Sequence, residues 1–549
     1  MTAITEAWRA GLLGRDNWIG NITAGIVVGV VSIPLSMAFA IASGAKPEQG
    51  LYTAIVAALA VSLFGGTRVQ VAGPTGAFAI LLFSVTAKYG ISGLQVATIL
   101  AGIMLLLFGI TKLGSVIRFI PEPVILGFTA GVAIVIWVGQ WQSFFGLEKV
   151  SAEHFHEKLL ALLANLPHLH PATTALGIAS VLIIVLWPKL PAVGKIPGPL
   201  VALVVATVLQ SSMHIDGVAT IGSAFGGIPQ GLPTFHVPSV SFGLVLELIR
   251  PAFAIALLGS VESLLSATVV DGMTGTKHNS NQELIGQGIG NIASALFGGF
   301  AATGAIARTA TSVRHGGNSP LAGIVSSATL VLVLVALAPL AYNVPLATLA
   351  AVLFVVAYNM SEAPRVIRTI KRAPTADVAI MLITLGLTVF ADLIVAVNVG
   401  VILAMLNFMR RMSSSVETRT MGADEIAETV VGTSCTMVPE GVLVYAIEGP
   451  FFFGAVQQFE AALEHTHTEP TVLVISLKHV PFIDLTGILA LKEVIERSAK
   501  HSIDVRLCCA NELVTGKLDK AGVSEMLRVP VSATLSEVLA HTPLEAAPA

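Results

Sequence analysis

The sequence predicts an all-α polytopic membrane domain followed by a small α/β domain. Three observations carry this expectation. Of 549 residues, 54% are hydrophobic and only 11% are charged, whereas an ordinary soluble domain is roughly a quarter charged. Apolar stretches near the ~20 residues needed to cross a bilayer recur from Ile22 to Phe408. After Arg411 the composition turns polar, and strand-like runs then alternate with helix-like ones.

Taken in order, residues 1–19 form a cytoplasmic segment in which Trp8–Ile19 is mildly amphipathic, with Arg9, Arg15 and Asp16. No small-residue cleavage site follows a short apolar core, so an interfacial helix is expected there. Fourteen spans are expected within 20–411: 20–44, 50–66, 73–90, 93–112, 121–144, 172–188, 196–212, 248–272, 281–298, 305–315, 319–340, 345–360, 374–391 and 393–409. Several are too short to cross alone. Basic residues in short loops orient the chain. Lys112 and Arg118, then Arg365, Arg368, Lys371 and Arg372, then Arg410 and Arg411 all share the side of the N-terminus. Both termini are therefore expected in the cytoplasm of a bacterial inner membrane. The 151–170 loop is then external, and its His154, His156, His168 and His170 read as scattered surface histidines. Residues 412–438 read as a linker. The α/β domain occupies 439–542, with strands at 442–447, 472–477 and 503–509 and helices at 454–465, 487–500 and 511–520.

Composition also narrows the function. A net charge of −3 gives no sign of a nucleic-acid partner, and no phosphate-binding loop of the nucleotide-hydrolysing kind occurs. Cys435, Cys508 and Cys509 lack metal-ligand spacing and read as reduced thiols. The fragment Gly286-Gln287-Gly288-Ile289-Gly290 has no soluble strand before it, so close helix packing explains it better than a dinucleotide site. The expected class is a transporter, with no enzymatic cofactor.

An internal repeat supports that class. Ala58-Leu59-Ala60-Val61-Ser62-Leu63-Phe64-Gly65-Gly66 returns as Asn291-Ile292-Ala293-Ser294-Ala295-Leu296-Phe297-Gly298-Gly299, an offset of 233 (299 − 66). Each Gly-Gly ends a span, and each is followed by a short extended stretch and an unusually short helix. Seven spans between copies is an odd number, so the halves have opposite topology. Inverted repeats with interrupted helices mark a transporter's central site.

Three features of that region carry chemistry. Gly73-Pro74-Thr75-Gly76 opens one short helix, with proline expected in its first turn. Thr303-Gly304-Ala305 leads into the other. Two helix N-termini meeting in mid-membrane present free N–H groups and positive dipole ends to an anion. Arg308, which the offset sets opposite Thr75, adds a charge that costs at least ~2.5–3.5 kcal/mol within a span and is functional by default. Glu262, deep in the eighth span with Ser266 one turn on, suits a coupling proton or a Na⁺ site. A structural pair of Glu262 with Lys277 or Arg308 is the alternative.

These motifs fit one family. Pro34-Leu35-Ser36-Met37-Ala38-Phe39-Ala40, Gly50-Leu51-Tyr52-Thr53-Ala54, Phe64-Gly65-Gly66-Thr67, Gly73-Pro74-Thr75 and Asp271-Gly272-Met273-Thr274-Gly275 resemble the sulfate permease family (solute carrier family 26), which ends in a STAS domain. The resemblance implies a seven-plus-seven inverted repeat with core and gate subdomains, and a homodimer. It places the substrate between the third and tenth spans, beside the first and eighth. Phe39 then matches the family's first-span aromatic, Arg308 its tenth-span basic residue and Glu262 its eighth-span acid. Leu35 stands where coanion-binding relatives carry glutamine. Glu262 and Ser266 stand where the sodium–bicarbonate member carries aspartate and threonine. Asp271–His278 is similar to the proton-coupled C4-dicarboxylate member. The implied activity is symport of a small inorganic or organic anion, with H⁺ the first choice of coupling ion and Na⁺ the second. An anion channel, an exchanger or an anion sensor is the alternative. In the STAS domain, Asp484-Leu485-Thr486-Gly487 resembles a phospho-acceptor loop with Thr486 at the acceptor position. A phospho-acceptor and an ordinary helix N-cap are the two readings of Thr486, and the domain is expected to serve dimerisation or regulation, with a cytosolic protein partner.

Overall fold

The computed structural model describes residues 2–117, 121–150, 155–190, 196–239, 241–391, 393–414, 416–421, 426, 441–456, 459 and 470–540. Arg118, His154, Cys435, most of the 412–438 segment and most of the 454–465 helix lie outside the described residues. The chain divides into two units, Met1–Ile402 and Leu403–Ala549.

In the first unit every expected span is helical. Helix α1 is Ala3–Arg9, α2 Trp18–Ala42, α3 Pro47–Phe64, α4 Gly76–Ile110 and α5 Glu122–Gly139. Then come α6 Phe155–Asn165, α7 Pro171–Leu186, α8 Gly198–Met213, α9 Phe242–Thr274, α10 Ser280–Leu296 and α11 Ile306–Arg314. Next are α12 Leu321–Leu337, α13 Leu346–Met360, α14 Ala363–Arg372 and α15 Thr375–Phe390, and α16 Leu393–Ser414 runs across the boundary into the second unit. Helix α4 holds two expected spans, divided at Gly90, whose φ of 69° and ψ of −175° break the helix. Among the described residues nine helical stretches are long and apolar enough to cross a bilayer. Helix α11, with 9 residues, is far too short.

The N-terminal segment differs from expectation. Its helix is Ala3–Arg9 and not Trp8–Ile19, because Gly11 takes a φ of 70° and the chain then turns through Gly14 into α2. The segment is docked: Ala3 and Ala7 are buried, Ala3 N–H donates to Gly65 O at 2.7 Å, and Arg68 pairs with Glu6 at 2.8 Å.

The helices form two packed groups. In one, α2 packs on α12, α3 on α10, and α4 on both α9 and α10. In the other, α5 packs on α13 and α15, and α7 on α8 and α13. These correspond to the expected core and gate. Small residues let the core helices close up. A Cβ on Gly288 would lie 2.7 Å from Gly102 O, and one on Gly25 would lie 2.5 Å from the Val325 Cβ. The glycines of 286–290 therefore serve packing, as their sequence context suggests.

The second unit contains a four-stranded sheet in the order β3-β4-β5-β6, comprising Glu417–Thr420, Val442–Glu448, Val472–His479 and Asp504–Cys508. β4, β5 and β6 are parallel, and β3 is antiparallel to β4. Strand β3 falls inside the expected linker. It was hidden because Glu417-Thr418-Arg419-Thr420 is polar and short, and only its register against β4 makes it a strand. Leu473, Ile475, Leu477 and Leu507 are buried in one continuous core with Leu491 and Ile495 of α17 (Leu485–Lys500). Helix α18 (Glu512–Lys520) adds Val514 and Leu518.

Candidate functional site

Two short strands bring the repeats together. β1 (Ala72–Gly73) and β2 (Thr303–Gly304) pair antiparallel, Gly73 opposite Thr303 and Ala72 opposite Gly304. Equivalent segments related by a two-fold axis in the membrane plane must run in opposite directions, so this pairing expresses the inverted repeat directly. The crossing is tied to its surroundings. Ala305 N–H donates to Val71 O at 3.0 Å, Val71 N–H to Thr309 Oγ1 at 3.1 Å, and Gly304 N–H to Ser263 Oγ at 3.0 Å.

Beyond the strands, each copy starts a helix. Thr75 is the N-cap of α4 and Ala305 the N-cap of α11. The true structural offset is thus 230 (305 − 75), not 233, because the loop after Gly-Gly is three residues shorter in the second copy. Arg308 is the third residue of α11 and so corresponds to Phe78 rather than to Thr75. Pro74 precedes the α4 N-cap and lies outside the first turn. Its carbonyl, in the extended segment, is used otherwise.

Neither N-cap side chain satisfies its helix. Ala305 has no polar atom. Thr75 turns its hydroxyl away, donating to Glu262 Oε2 at 3.0 Å. The first-turn N–H groups of both helices are left without a side-chain acceptor, with the dipoles' positive ends beside them.

Arg308 is buried, 3% exposed, and donates to Ser36 Oγ at 3.1 Å and Pro74 O at 3.4 Å. Both partners are neutral. Among the described residues no carboxylate lies within ion-pair distance of it. Gly73 makes room for it: a Cβ there would lie 2.1 Å from the Arg308 Nη1. Among the described residues the charge of this buried guanidinium is therefore not offset by any carboxylate.

Glu262 is half-buried on α9 and does not pair with Arg308 or Lys277. Its Oε2 accepts from Thr303 Oγ1 at 2.9 Å as well as from Thr75, and the two hydroxyls are 3.2 Å apart. One carboxylate oxygen therefore touches both half-helix entrances. Ser266 is buried and its hydroxyl has no partner in the described structure. Phe39 is buried, and a Cβ on Gly76 would lie 3.2 Å from its Cε1 atom, so its ring stands against the entrance of α4. A cavity of about 300 Å³ runs beside α9, lined by Val261, Leu264 and Thr268 from the core, by Leu126 and Thr129 from gate helix α5 and by Arg365 of α14.

Gly73, Pro74, Thr75, Thr303, Gly304, Ala305, Arg308, Glu262 and Phe39 thus lie together around the paired strands. Ser36, Ser263, Thr309 and Gln70, whose Nε2 donates to Ser263 O at 3.0 Å, are not singled out by the sequence. Ser36 lies within the Pro34–Ala40 motif, which was its available signal. Thr486 is elsewhere, exposed at the second position of α17. The cap of that helix is Asp484, which accepts from Gly487 N–H at 2.8 Å, so the capping role expected of Thr486 is not its own. Among the described residues there is no cluster of potential metal ligands, and His170 caps α7 through Thr173.

Antiparallel half-helix entrances at the centre of paired inverted repeats define a membrane transporter of the core-and-gate class. Residues 18–384 match the sulfate permease family and residues 436–538 the STAS domain. The chain belongs to the sulfate permease family. It is 43% identical to YvdB of Bacillus subtilis, which carries a provisional sulfate-transporter name, over 88% of this chain and 89% of that one. It is 34% identical to the bicarbonate transporter BicA of Picosynechococcus over 91% and 90% of the respective chains. The solved transmembrane domain of a cyanobacterial BicA superposes with a TM-score of 0.62 at 30% identity, covering 72% of this chain and 98% of that domain. The whole SLC26A9 chain shares the fold with a TM-score of 0.86 at 20% identity, covering 98% and 92%.

Proposed function

We propose that the chain is a secondary active transporter of a small oxyanion of the bicarbonate or sulfate class, driven by proton symport through Glu262. The observation that carries this reading is the unpaired, buried Arg308 set beside two helix N-termini whose first-turn N–H groups lack side-chain caps. An oxyanion bound there would accept hydrogen bonds from both helix starts and offset the arginine charge. A C4-dicarboxylate remains compatible through one of its carboxylates. The relatives' sulfate and bicarbonate names favour the smaller anions.

Glu262 supports proton coupling through its position. Protonation would remove a negative charge next to an incoming anion and change the hydroxyl bonds at Thr75 and Thr303, which stand at the helix entrances. A sodium ion would need several oxygen ligands directed at one point. Here the two threonine hydroxyls gather on one carboxylate oxygen, while the buried Ser266 hydroxyl has no partner among the described residues and is not bonded to that group. Proton coupling is therefore the first reading and sodium coupling the second.

The test is uptake of radiolabelled bicarbonate and sulfate by the full chain in liposomes. Arg308→Ala removes the side-chain charge but keeps the backbone donors, and should raise KM by roughly tenfold to a hundredfold, the loss of one charged hydrogen-bonding group. Wild-type KM in a well-folded Arg308→Ala protein would show that the anion binds elsewhere.

A further inference from the structure

Helix α6 lies outside the site just described. Its residues Phe155, Leu159 and Leu162 recur at helical spacing and pack with Val138, at the end of gate helix α5, and with Leu147 in the segment that follows it. The Phe155 ring is 6.0 Å from that of Phe390 at the end of α15. The helix is thus laid across the ends of gate helices, on the face that the proposed orientation makes external.

Lys158 leaves that apolar face and reaches the core. Its Nζ lies 5.7 Å from the centroid of the Phe83 ring on α4. Phe83 follows Gly76 by seven residues, which returns it to the same side of the helix, ~10 Å further along. At Gly76 that side meets Phe39, Met360 and Ile136. Phe83 also borders the end of α2, since a Cβ on Gly44 would lie 3.3 Å from its Cδ2. One face of α4 therefore runs from the anion-site entrance to the ring beneath Lys158.

The ammonium is half-buried, and among the described residues it has neither a carboxylate within ion-pair distance nor a hydrogen-bond acceptor. Burial holds it below the usual lysine range. A partly desolvated cation whose partner is an aromatic face is incompletely compensated, because the ring quadrupole attracts it more weakly than a full negative charge does.

We propose that Lys158 is an outer anion-binding residue, which takes a small oxyanion at the mouth above Phe83 before the anion passes along the Gly76 face of α4 to Arg308. The inference rests on the anion-transport reading. Without an anion, the Phe83 ring is the fallback partner of the ammonium. The test uses the full chain in liposomes with radiolabelled sulfate and bicarbonate as probes. Lys158→Gln should raise KM for uptake from the α6 face by ~10-fold, the low end of electrostatic capture effects. Its maximal rate and its KM from the opposite face should stay within about twofold of wild type. Lys158→Arg should retain wild-type KM. In Lys158→Cys, a membrane-impermeant trimethylammonium thiosulfonate added to that face should restore affinity, and a sulfonate reagent should depress it further. Unchanged KM in Lys158→Gln and in both modified cysteine forms, with saturable wild-type transport, would overturn the inference alone. Absence of saturable uptake of either probe by the wild type would overturn the transport reading and this inference with it.

Discussion

Arg308 and Glu262 were legible because a charge among apolar residues stands out whatever the fold. Their partners were not. Ser36, Ser263 and Thr309 are hydroxyls on helices, where bonding back to a carbonyl one turn earlier is routine, as Thr309 also does to Ala305. Only the three-dimensional crossing shows that Ser263 and Thr309 also hold the strands and that Ser36 steadies the arginine. The same crossing removes one of the roles open to Glu262. It has no basic partner, so it is not the packing ion pair. It holds two threonine hydroxyls, one at each half-helix entrance. Glu262→Gln keeps an acceptor oxygen for both hydroxyls and loses the proton. That variant is expected to retain substrate exchange while proton-driven accumulation falls to the level of equilibration. Exchange and gradient-driven uptake are measured separately in the same liposomes. Undiminished proton-driven accumulation would leave Glu262 a purely structural residue. Sodium-driven uptake at equal pH on both sides, lost in the variant, would instead make it a cation ligand.

At the scale of elements, spans were read well from hydropathy because lipid demands long apolar runs and internally bonded backbone. What hydropathy misses is register and backbone geometry. The break at Gly90 was seen as a boundary between spans, yet the three-residue shortening of the second loop moved Arg308 from its expected opposite number. Strand β3 escaped because four polar residues carry no pattern of their own. The glycines were readable as packing residues but not as pairs. Gly102 and Gly288 face each other across α4 and α10, each so close to the other's carbonyl that a Cβ would lie 2.7–2.8 Å from it. Gly288→Val is therefore expected to push the two helices apart at a cost of about 1–3 kcal/mol, the usual range for overpacking. Thermal unfolding of the detergent-solubilised protein should show a lower Tm than wild type. Gly272→Ala, where added volume meets nothing within 4 Å and a helix gains from alanine, should not lower it and serves as the control.

At the scale of the whole molecule, orientation is the property on which the external position of Lys158 and the direction of coupling both depend. The inverted repeat constrains it. β1 and β2 run antiparallel, so the helices that follow them enter the membrane from opposite senses, as an odd number of intervening spans requires. With fourteen spans, five precede the 155–165 helix and nine separate it from Ser413. Both numbers are odd, so that helix and Ser413 must lie on opposite faces. By the same count the basic residues of α14, Arg365, Arg368, Lys371 and Arg372, fall on the Ser413 side, which the bias of basic residues predicts to be cytoplasmic. Single cysteines at Ser414 and at Glu157, in a chain whose Cys435, Cys508 and Cys509 are replaced by serine, should react with impermeant maleimide from opposite faces. Glu157 should label in intact cells, and Ser414 only after the membrane is opened. Labelling of both positions from one face would remove a span from the count and break the match between the repeats. Labelling with the two faces exchanged would preserve the repeat but put Lys158 in the cytoplasm, where it could act only on the release of substrate.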